Sequence, residues 1–204
     1  MHLASCRLYG FIDTAYLAGR QPGVIAKELI AGGVDIIQVR AKGMSHAQRV
    51  ELARAVVKVA GEVPVIVNDD IAAARETGAA GVHLGQEDFA GLTRDRLKDL
   101  RIVGISTHSL AQAKQAERDG ADYIGVGPVF ATGTKPGVPP VGVELVRQIA
   151  GKIAVPFFAI GGITLQNLEA VLAAGATRVA VVSAILNNSD ITAAAKSFKG
   201  KLPA

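Results

Sequence analysis

Amide and basic side chains alternate along one apolar segment near the start of the chain. Gln38, Arg40 and Lys42 are separated by Val39 and Ala41, and in a β-strand this spacing directs all three to one side. A partly buried arginine requires an anionic partner, and arginine together with lysine suits a diphosphate or a pair of phosphates. For Lys42 taken alone, the exit of a strand into solvent is the simpler interpretation.

Two aspartates follow neighbouring predicted strands. Asp69 belongs to Asn68-Asp69-Asp70, in which Asp70 is most simply the N-cap of a helix that begins at Ile71. Asp88 follows the next strand, so Asp69 and Asp88 can approach one Mg²⁺ ion, which proteins hold with one or two carboxylates together with phosphate oxygens. Exposed loop acids are the alternative and the commoner outcome of this spacing. The basic strand beside them favours the magnesium site.

The fifth predicted strand ends with a serine and a histidine. The Ser106 hydroxyl can bind a phosphate oxygen. His108 is either a general acid–base group or a loop residue before a helix capped by Ser109, and we favour the loop residue. His83 lies in an apolar segment, which favours a hydrogen-bonded core histidine over a catalyst. The sequence has neither a Ser-His-Asp hydrolase signature nor the His-Glu-x-x-His helix of zinc proteases.

Two later connections carry further candidates for ligand binding. The connection over 128–141 is longer than usual and contains Thr132, Thr134 and Lys135, so we predict a mobile loop that closes over a ligand; a solvated Gly/Pro loop is the alternative. Gly161-Gly162 and Val182-Ser183 follow the seventh and eighth predicted strands, where barrels often bind phosphate through backbone N–H groups. Close packing of a helix against a strand would also favour the glycines.

The elements that must position these residues alternate between strand and helix along the whole chain. Amphipathic segments with Ser45/Gln48 and Ser109/Gln112 capping boxes lie between short apolar strands. Repeated units of this kind imply parallel strands buried on both faces. The strands are predicted over 7–13, 35–41, 64–69, 81–85, 101–107, 123–127, 156–161 and 178–183.

Eight such units favour an α/β fold that closes into one (β/α)₈ TIM barrel. A doubly wound open sheet is the alternative, but its nucleotide signature is incomplete: Gly125-Val126-Gly127 is followed by Pro128, so no helix can begin there. Glycines at 33, 78, 120 and 175 precede strands and predict left-handed helix ends. With two anion sites at the mouth of such a barrel, we expect an enzyme that joins or processes two phosphorylated small molecules.

Composition narrows the function classes further. The 204 residues carry 22 Lys and Arg against 18 Asp and Glu, a formal charge of +4 without blocks of like charge, so we expect a single domain over 1–204 and no nucleic-acid partner. Cys6 is the one cysteine, which excludes an intramolecular disulfide. No signal peptide is evident, and the apolar run at 179–186 is too short to cross a bilayer. We expect a cytoplasmic protein without a membrane partner; a homo-oligomer stays open.

Taken together, the motifs resemble the thiamine-phosphate synthase family over nearly the whole chain. They are Gln38-Val39-Arg40-Ala41-Lys42, Val67-Asn68-Asp69-Asp70, Gly81-Val82-His83-Leu84-Gly85-Gln86-Glu87-Asp88, Gly104-Ile105-Ser106, Gly125-Val126-Gly127-Pro128-Val129-Phe130 with Thr132, Thr134 and Lys135, and Gly161-Gly162-Ile163.

The resemblance implies a reaction. The aminopyrimidine methyl group of hydroxymethylpyrimidine diphosphate would be transferred to the nitrogen of hydroxyethylthiazole phosphate, or of its carboxylated form, giving thiamine phosphate and diphosphate. It also implies a Mg²⁺-assisted dissociative route, in which the electron-rich ring supports the cation left by the departing diphosphate, so that no strong protein nucleophile is needed.

The resemblance also implies a role for each candidate residue. Those assigned to catalysis are Arg40, Lys42, Ser106 and Lys135. Those assigned to substrate binding are Arg40, Lys42, Asn68 and Lys135 at the diphosphate, Gln38 and Ser106 beside the pyrimidine and its diphosphate, Thr132 and Thr134 on the loop, and Gly162, Val182 and Ser183 at the thiazole phosphate. Those assigned to Mg²⁺ are Asp69 and Asp88.

Two other functions fit the same barrel. A thiazole tautomerase also binds thiazole phosphate, but members of that group tend to lack the Asn-Asp-Asp and Gly-Gln-Glu-Asp motifs present here; His108 occurs in both groups and does not discriminate. A barrel that binds a phosphorylated ligand without turning it over, and so regulates a partner, is the second alternative. The combination of a diphosphate clamp with a metal site disfavours it, because binding alone requires no metal.

Overall fold

Eight parallel strands pair in chain order, and the first strand pairs with both the second and the eighth, so the sheet closes into a barrel. The computed structural model describes residues 3–134 and 137–203. The closure confirms the predicted (β/α)₈ TIM barrel and excludes an open, doubly wound sheet. The strands are β1 Leu8–Asp13, β2 Ile36–Arg40, β3 Val65–Asn68, β4 Gly81–Leu84, β5 Ile102–Thr107, β6 Tyr123–Val126, β7 Phe157–Ile160 and β8 Val179–Ala180.

Each strand falls within its predicted segment, and two of the differences have clear causes. The eighth strand was predicted over 178–183 but ends at Ala180, because Val182 leaves the extended region with φ −108° and ψ −89° and Ser183 begins a helix. The third was predicted to include Asp69, but that residue adopts a left-handed φ of +63°, which ends the strand at Asn68.

Helices follow the strands and cover the outside of the barrel. They are α1 Pro22–Ala31, α2 His46–Ala60, α3 Ile71–Thr77, α4 Gln86–Phe89, α5 Leu110–Arg118, α6 Gly142–Ile149, α7 Leu168–Ala173, α8 Ser183–Leu186 and α9 Ile191–Lys199. The four glycines predicted to end helices before strands all have positive φ. Across the described ranges, no helix has the length and apolar character needed to span a membrane.

The predicted helix starts are largely confirmed. The capping box at Ser45 and Gln48 forms in both directions, and the Asp70 side chain caps α3 by accepting from the Ala73 N–H. Only one of the two hydrogen bonds of the second predicted capping box forms. Ser109 accepts from the Gln112 N–H as predicted, but the Gln112 amide oxygen accepts from the His108 N–H and not from the Ser109 N–H. The helix still begins where the capping residue predicts.

Aromatic rings fill the inside of the barrel. Tyr9, Tyr123 and Phe158 contact one another with ring centroids 5.2 to 5.8 Å apart, from strands β1, β6 and β7. Gly104 makes room for this cluster, because a Cβ there would lie 2.1 Å from the Tyr123 ring. The buried polar residues are few and lie mainly toward the carboxyl ends of the strands, among them Asp13, Gln38, His83 and Thr107.

Candidate active site

A cavity opens at the carboxyl ends of the strands, above the aromatic cluster. Its walls are the ends of β2, β3 and β5, the β6–α6 connection and the turns after β7 and β8. The predicted substrate-binding residues that line it are Gln38, Arg40, Asn68, Ser106, Thr132, Thr134, Gly162, Val182 and Ser183. The structure therefore gathers residues from six separate chain segments around one space, as a parallel barrel requires of its strand ends.

Arg40 is held at the cavity by a buried carboxylate that sequence analysis did not identify. The Arg40 Nη1 donates to Asp13 Oδ2 at 2.7 Å, and the two side chains are 11% and 1% exposed. The other Asp13 oxygen accepts from the Ala15 N–H at 3.0 Å. Asp13 and Arg40 are register partners in the β1–β2 ladder. Only that alignment, which the sequence does not display, would have revealed the pair.

Lys42 and Asp69 lie at the rim rather than on the cavity lining. The Lys42 Nζ is 2.5 Å from Asp69 Oδ2, and the lysine side chain is 60% exposed. The Lys42 side chain is therefore exposed to solvent after the end of β2, in agreement with the simpler interpretation. It also pairs with Asp69, one of the predicted metal ligands. Asp69 itself has a left-handed backbone and donates its N–H to the His83 carbonyl at 2.9 Å. Such a conformation in a residue other than glycine often occurs at functional sites.

Asp88 lies in α4, directly after the end of β4, and like Asp69 it is not on the cavity lining. Its carboxylate folds back over Gly85, whose hypothetical Cβ would be 3.0 Å from Asp88 Oδ2. Since Asp69 is hydrogen-bonded to His83, two residues before Gly85, both aspartates border the same strand end. Two carboxylates at one rim fit the donor chemistry of Mg²⁺, which takes hard oxygen ligands and completes its shell with water and phosphate. The described residues hold no larger group of metal-ligating side chains.

Polar side chains also line the cavity above the aromatic cluster. His83 Nε2 lies 2.9 Å from Ser106 Oγ, and His83 Nδ1 lies 2.9 Å from Tyr123 Oη. The hydrogen bonds expected of a core histidine are therefore present, but the His83 ring also lines the cavity. Gln86, the first residue of α4, donates to the Ser106 carbonyl at 2.6 Å.

The β6–α6 connection closes one side of the cavity. Thr134 is the main contact: its carbonyl accepts from Arg40 Nη2 at 3.2 Å, and its Oγ1 lies 3.1 Å from the Tyr16 hydroxyl. Thr132 Oγ1 accepts from the Thr134 N–H at 3.2 Å. Lys135, the predicted diphosphate contact beside them, lies outside the described residues.

His108 takes part in the cavity wall. Its Nδ1 is hydrogen-bonded to the Gly127 carbonyl, and its ring lines the cavity. The residue precedes the Ser109 N-cap, as the loop interpretation predicts, but it is not directed away from the site.

Gly161 and Gly162 allow the β6–α6 connection to pack closely against the turn after β7. A Cβ on Gly161 would lie 2.5 Å from Pro128 Cα, and one on Gly162 would lie 2.5 Å from the Ala131 carbonyl oxygen. Their φ values of +99° and +64° also favour glycine. Close backbone packing thus explains both glycines, against the 128–131 segment rather than a helix. The phosphate site at Gly162, Val182 and Ser183 stays a prediction.

The thiamine monophosphate synthase family model matches residues 8–185 of the chain. A thiamine-phosphate synthase from Chloroflexus aurantiacus is 42% identical over 97% of this chain and 93% of its own length. One from Halalkalibacterium halodurans is 41% identical over 94% and 93%.

Structural comparison agrees with these sequence matches. The thiamine phosphate pyrophosphorylase from Pyrococcus furiosus superposes with a TM-score of 0.83 at 30% identity, over 96% of this chain and 94% of that structure. The predicted resemblance and the predicted class, a transferase enzyme, are confirmed by the matches. The chain belongs to the thiamine monophosphate synthase family.

Proposed function

We propose that the protein joins hydroxymethylpyrimidine diphosphate to hydroxyethylthiazole phosphate, or to its carboxylated form, and releases thiamine phosphate and diphosphate, together with carbon dioxide when the thiazole is carboxylated. The bond between the pyrimidine methylene carbon and the diphosphate oxygen breaks, and its electron pair leaves with the diphosphate. The lone pair of the thiazole nitrogen then forms the new bond to that carbon. Family membership and a cavity with cationic and hydroxyl groups at its rim support this reaction.

The position of Arg40 is the observation that carries the proposal. Its guanidinium is almost buried at the cavity edge and divides its donors between Asp13 and the Thr134 carbonyl. A planar fork of donors suits the oxygens of a diphosphate. As the C–O bond breaks, negative charge grows on the leaving group, and a fixed cation in a site of low polarity stabilises that charge most effectively. Asn68 and Ser106 line the same cavity and can supply neutral donors.

Asp69 and Asp88 would hold a magnesium ion. When bound, Mg²⁺ neutralises charge on phosphate oxygens and so makes a diphosphate a better leaving group. Lys42, which now pairs with Asp69, would then be available to the diphosphate. The thiazole phosphate would bind where Gly162, Val182 and Ser183 line the cavity after β7 and β8, and Thr132 and Thr134 would close over both substrates.

An assay that supplies both substrates tests the reaction. The purified protein is mixed with the pyrimidine diphosphate, the thiazole phosphate and Mg²⁺, and thiamine phosphate is measured. We expect Arg40→Lys to lower kcat/KM roughly a hundredfold, because lysine cannot reproduce the fork of donors. Arg147→Lys is the matched control: Arg147 forms an exposed ion pair with Glu144 on α6, and its substitution should leave the rate unchanged.

The alternatives give different results in the same assay. Isomerisation of a thiazole phosphate without formation of thiamine phosphate would favour a tautomerase; His108, although it lines the cavity, does not discriminate between the two. Binding of both substrates without any product would favour a non-catalytic ligand-binding barrel. A cytoplasmic location, a homo-oligomer and the absence of nucleic-acid partners stay predictions.

A further inference from the structure

Five side chains form a continuous hydrogen-bonded chain across the interior of the barrel. Gln38 Nε2 donates to Tyr9 Oη at 3.0 Å, and Tyr9 Oη lies 2.8 Å from Tyr123 Oη. Tyr123 Oη is 2.9 Å from His83 Nδ1, and His83 Nε2 is 2.9 Å from Ser106 Oγ. Both ends of the chain, Gln38 and Ser106, line the cavity. The chain therefore connects two separate points on the wall of the proposed substrate site.

The hydrogen bonds of this chain must all run in one direction. Tyr9 and Tyr123 are buried, and each hydroxyl has two neighbours in this series. A phenol has one proton, and that proton is satisfied only if the tyrosine donates to the neighbour from which it does not accept. Because Gln38 donates to Tyr9, Tyr9 donates to Tyr123. Tyr123 then donates to His83 Nδ1, so the neutral imidazole carries its proton on Nε2.

The same rule fixes the direction of the last hydrogen bond in the series, between His83 and Ser106. His83 Nε2–H donates to Ser106 Oγ, which leaves the Ser106 hydroxyl hydrogen available to the cavity. Burial raises the pKa of both Tyr9 and Tyr123, so both phenols keep the protons that the direction requires.

We propose that this five-residue chain, here named the polarity relay, enables Gln38 on β2 to make Ser106 on β5 a hydrogen-bond donor toward the ligand. The value of that donor rests on the proposed function, since the oxygens of a diphosphate can only accept hydrogen bonds. If the relay ran in the opposite direction, the Ser106 hydrogen would be committed to His83. Tyr9, Tyr123 and His83 are thus positioning residues, which act on the substrate through Ser106.

The tautomer of His83 is a direct readout that needs no activity. In ¹⁵N-labelled protein at a pH where the imidazole is neutral, the side-chain nitrogen shifts of His83 report which nitrogen carries the proton. We expect the Nε2–H form, assigned by its loss in His83→Gln. The Nδ1–H form would overturn the proposal, whether or not the protein makes thiamine phosphate. Failure of the proposed reaction and failure of the relay are therefore distinguishable.

A double-mutant cycle tests whether the tyrosines act through Ser106. Tyr9→Phe and Tyr123→Phe each remove a hydroxyl that forms two links of the relay. We expect each to raise the KM for the pyrimidine diphosphate about tenfold, the effect of losing the one hydrogen bond from Ser106 to the substrate. In a Ser106→Ala background the same substitutions should have almost no further effect. KM does not depend on the fraction of folded enzyme, so partial misfolding does not imitate this result. Increases in KM that persist at full size in the Ser106→Ala background would overturn the proposal.

Tyr16→Phe is the matched control. Tyr16 contacts Thr134 on the β6–α6 connection and is not a member of the polarity relay. Its substitution should leave the His83 tautomer unchanged. A shift of the His83 tautomer in this variant would mean that the His83 nitrogens report general changes at the cavity, and the relay would lose its spectroscopic support.

Discussion

Arg40 illustrates how one residue can be both structural and chemical. A nearly buried guanidinium is costly unless its charge is balanced, and here Asp13 balances it from the neighbouring strand. The same guanidinium faces the cavity in which a diphosphate would bind. The ligand would therefore supply a second anionic partner to a cation that is already held in position.

This balance leads to a prediction for Asp13→Asn. The amide can still accept from the Ala15 N–H, but it cannot neutralise Arg40, so we expect a loss of about 3 kcal/mol in the free energy of unfolding. Inorganic diphosphate should restore part of that loss, because it replaces the missing anion. Thermal unfolding with and without diphosphate should thus show a larger diphosphate-induced rise in Tm for the variant than for the wild type.

The exposed pair of Arg75 and Asp99 provides the control for this measurement. Asp99→Asn removes a carboxylate from a surface ion pair, which typically contributes little to stability. Its Tm and its response to diphosphate should match the wild type. Equal diphosphate-induced shifts in Asp13→Asn and wild type would contradict the role assigned to Asp13.

At the scale of elements, the short helix α4 carries Asp88 to the rim. Phe89 is buried and Gln86 is bonded to the Ser106 carbonyl, so the turn is attached to the barrel at both of its ends. Gly85 leaves space for the Asp88 carboxylate to fold back toward β4. The arrangement depends on the missing Cβ and not on backbone freedom, because the φ of Gly85 is −72°.

We therefore expect Gly85→Ala to displace Asp88 without unfolding the protein. The new methyl group would lie 3.0 Å from Asp88 Oδ2, so the carboxylate has to move. The Mg²⁺ concentration for half-maximal activity should rise several-fold, and binding of Mn²⁺ in the presence of diphosphate, followed by electron paramagnetic resonance, should weaken in parallel. Gly23→Ala in α1, where the nearest atom to the new methyl is 3.4 Å away, should change neither quantity.

A second prediction concerns the contact between α2 and α3. His46 at the start of α2 is hydrogen-bonded to Asp70, and this bond raises the pKa of His46. Burial opposes ionisation of Asp70, but its hydrogen bonds from the Ala73 N–H, His46 and Arg49 lower its pKa overall. The imidazolium is therefore favoured in the folded protein.

The sign of the pH dependence follows from these shifts. A raised histidine pKa stabilises the fold fully below the unfolded-state value of about 6.5, and the contribution disappears as the pH rises through the folded-state value. The lowered pKa of Asp70 confines the contribution to pH values above its own folded-state titration. The Tm difference between wild type and His46→Gln should thus be larger near pH 6, where the imidazolium is present, than near pH 9, where the imidazole is neutral. A pH-independent difference would contradict this assignment.

At the scale of the whole molecule, local patterns predicted the barrel but not the contacts across its interior. The alternation of strands and helices determines a parallel sheet, and polar residues at strand ends then meet at one rim. Tyr9 and Tyr123 are 114 residues apart, and nothing in their own segments indicates that their hydroxyls meet. The pairing of Asp13 with Arg40 depends in the same way on the register between strands. The resemblance assigns Lys42 to the diphosphate, whereas the structure pairs it with Asp69, a residue whose left-handed backbone the sequence does not display.

The packing of the whole barrel interior is testable at Gly104. Alanine there would place its Cβ 2.1 Å from the Tyr123 ring, which is fully buried and cannot rotate away without displacing Tyr9 and Phe158. Since alanine is otherwise no worse than glycine in a strand, any loss is steric, and we expect Gly104→Ala to cost at least about 3 kcal/mol in chemical denaturation.

A second substitution separates this steric effect from a general intolerance at position 104. Tyr123→Leu alone should destabilise the protein, because it opens a cavity and removes the buried hydrogen bonds to Tyr9 Oη and His83 Nδ1. Combined with Gly104→Ala it should cost less than the sum of the two single changes, since the added methyl then occupies vacated space. Additive losses would mean that the glycine is required for its backbone, and that the aromatic cluster does not determine which residue β5 carries at its centre.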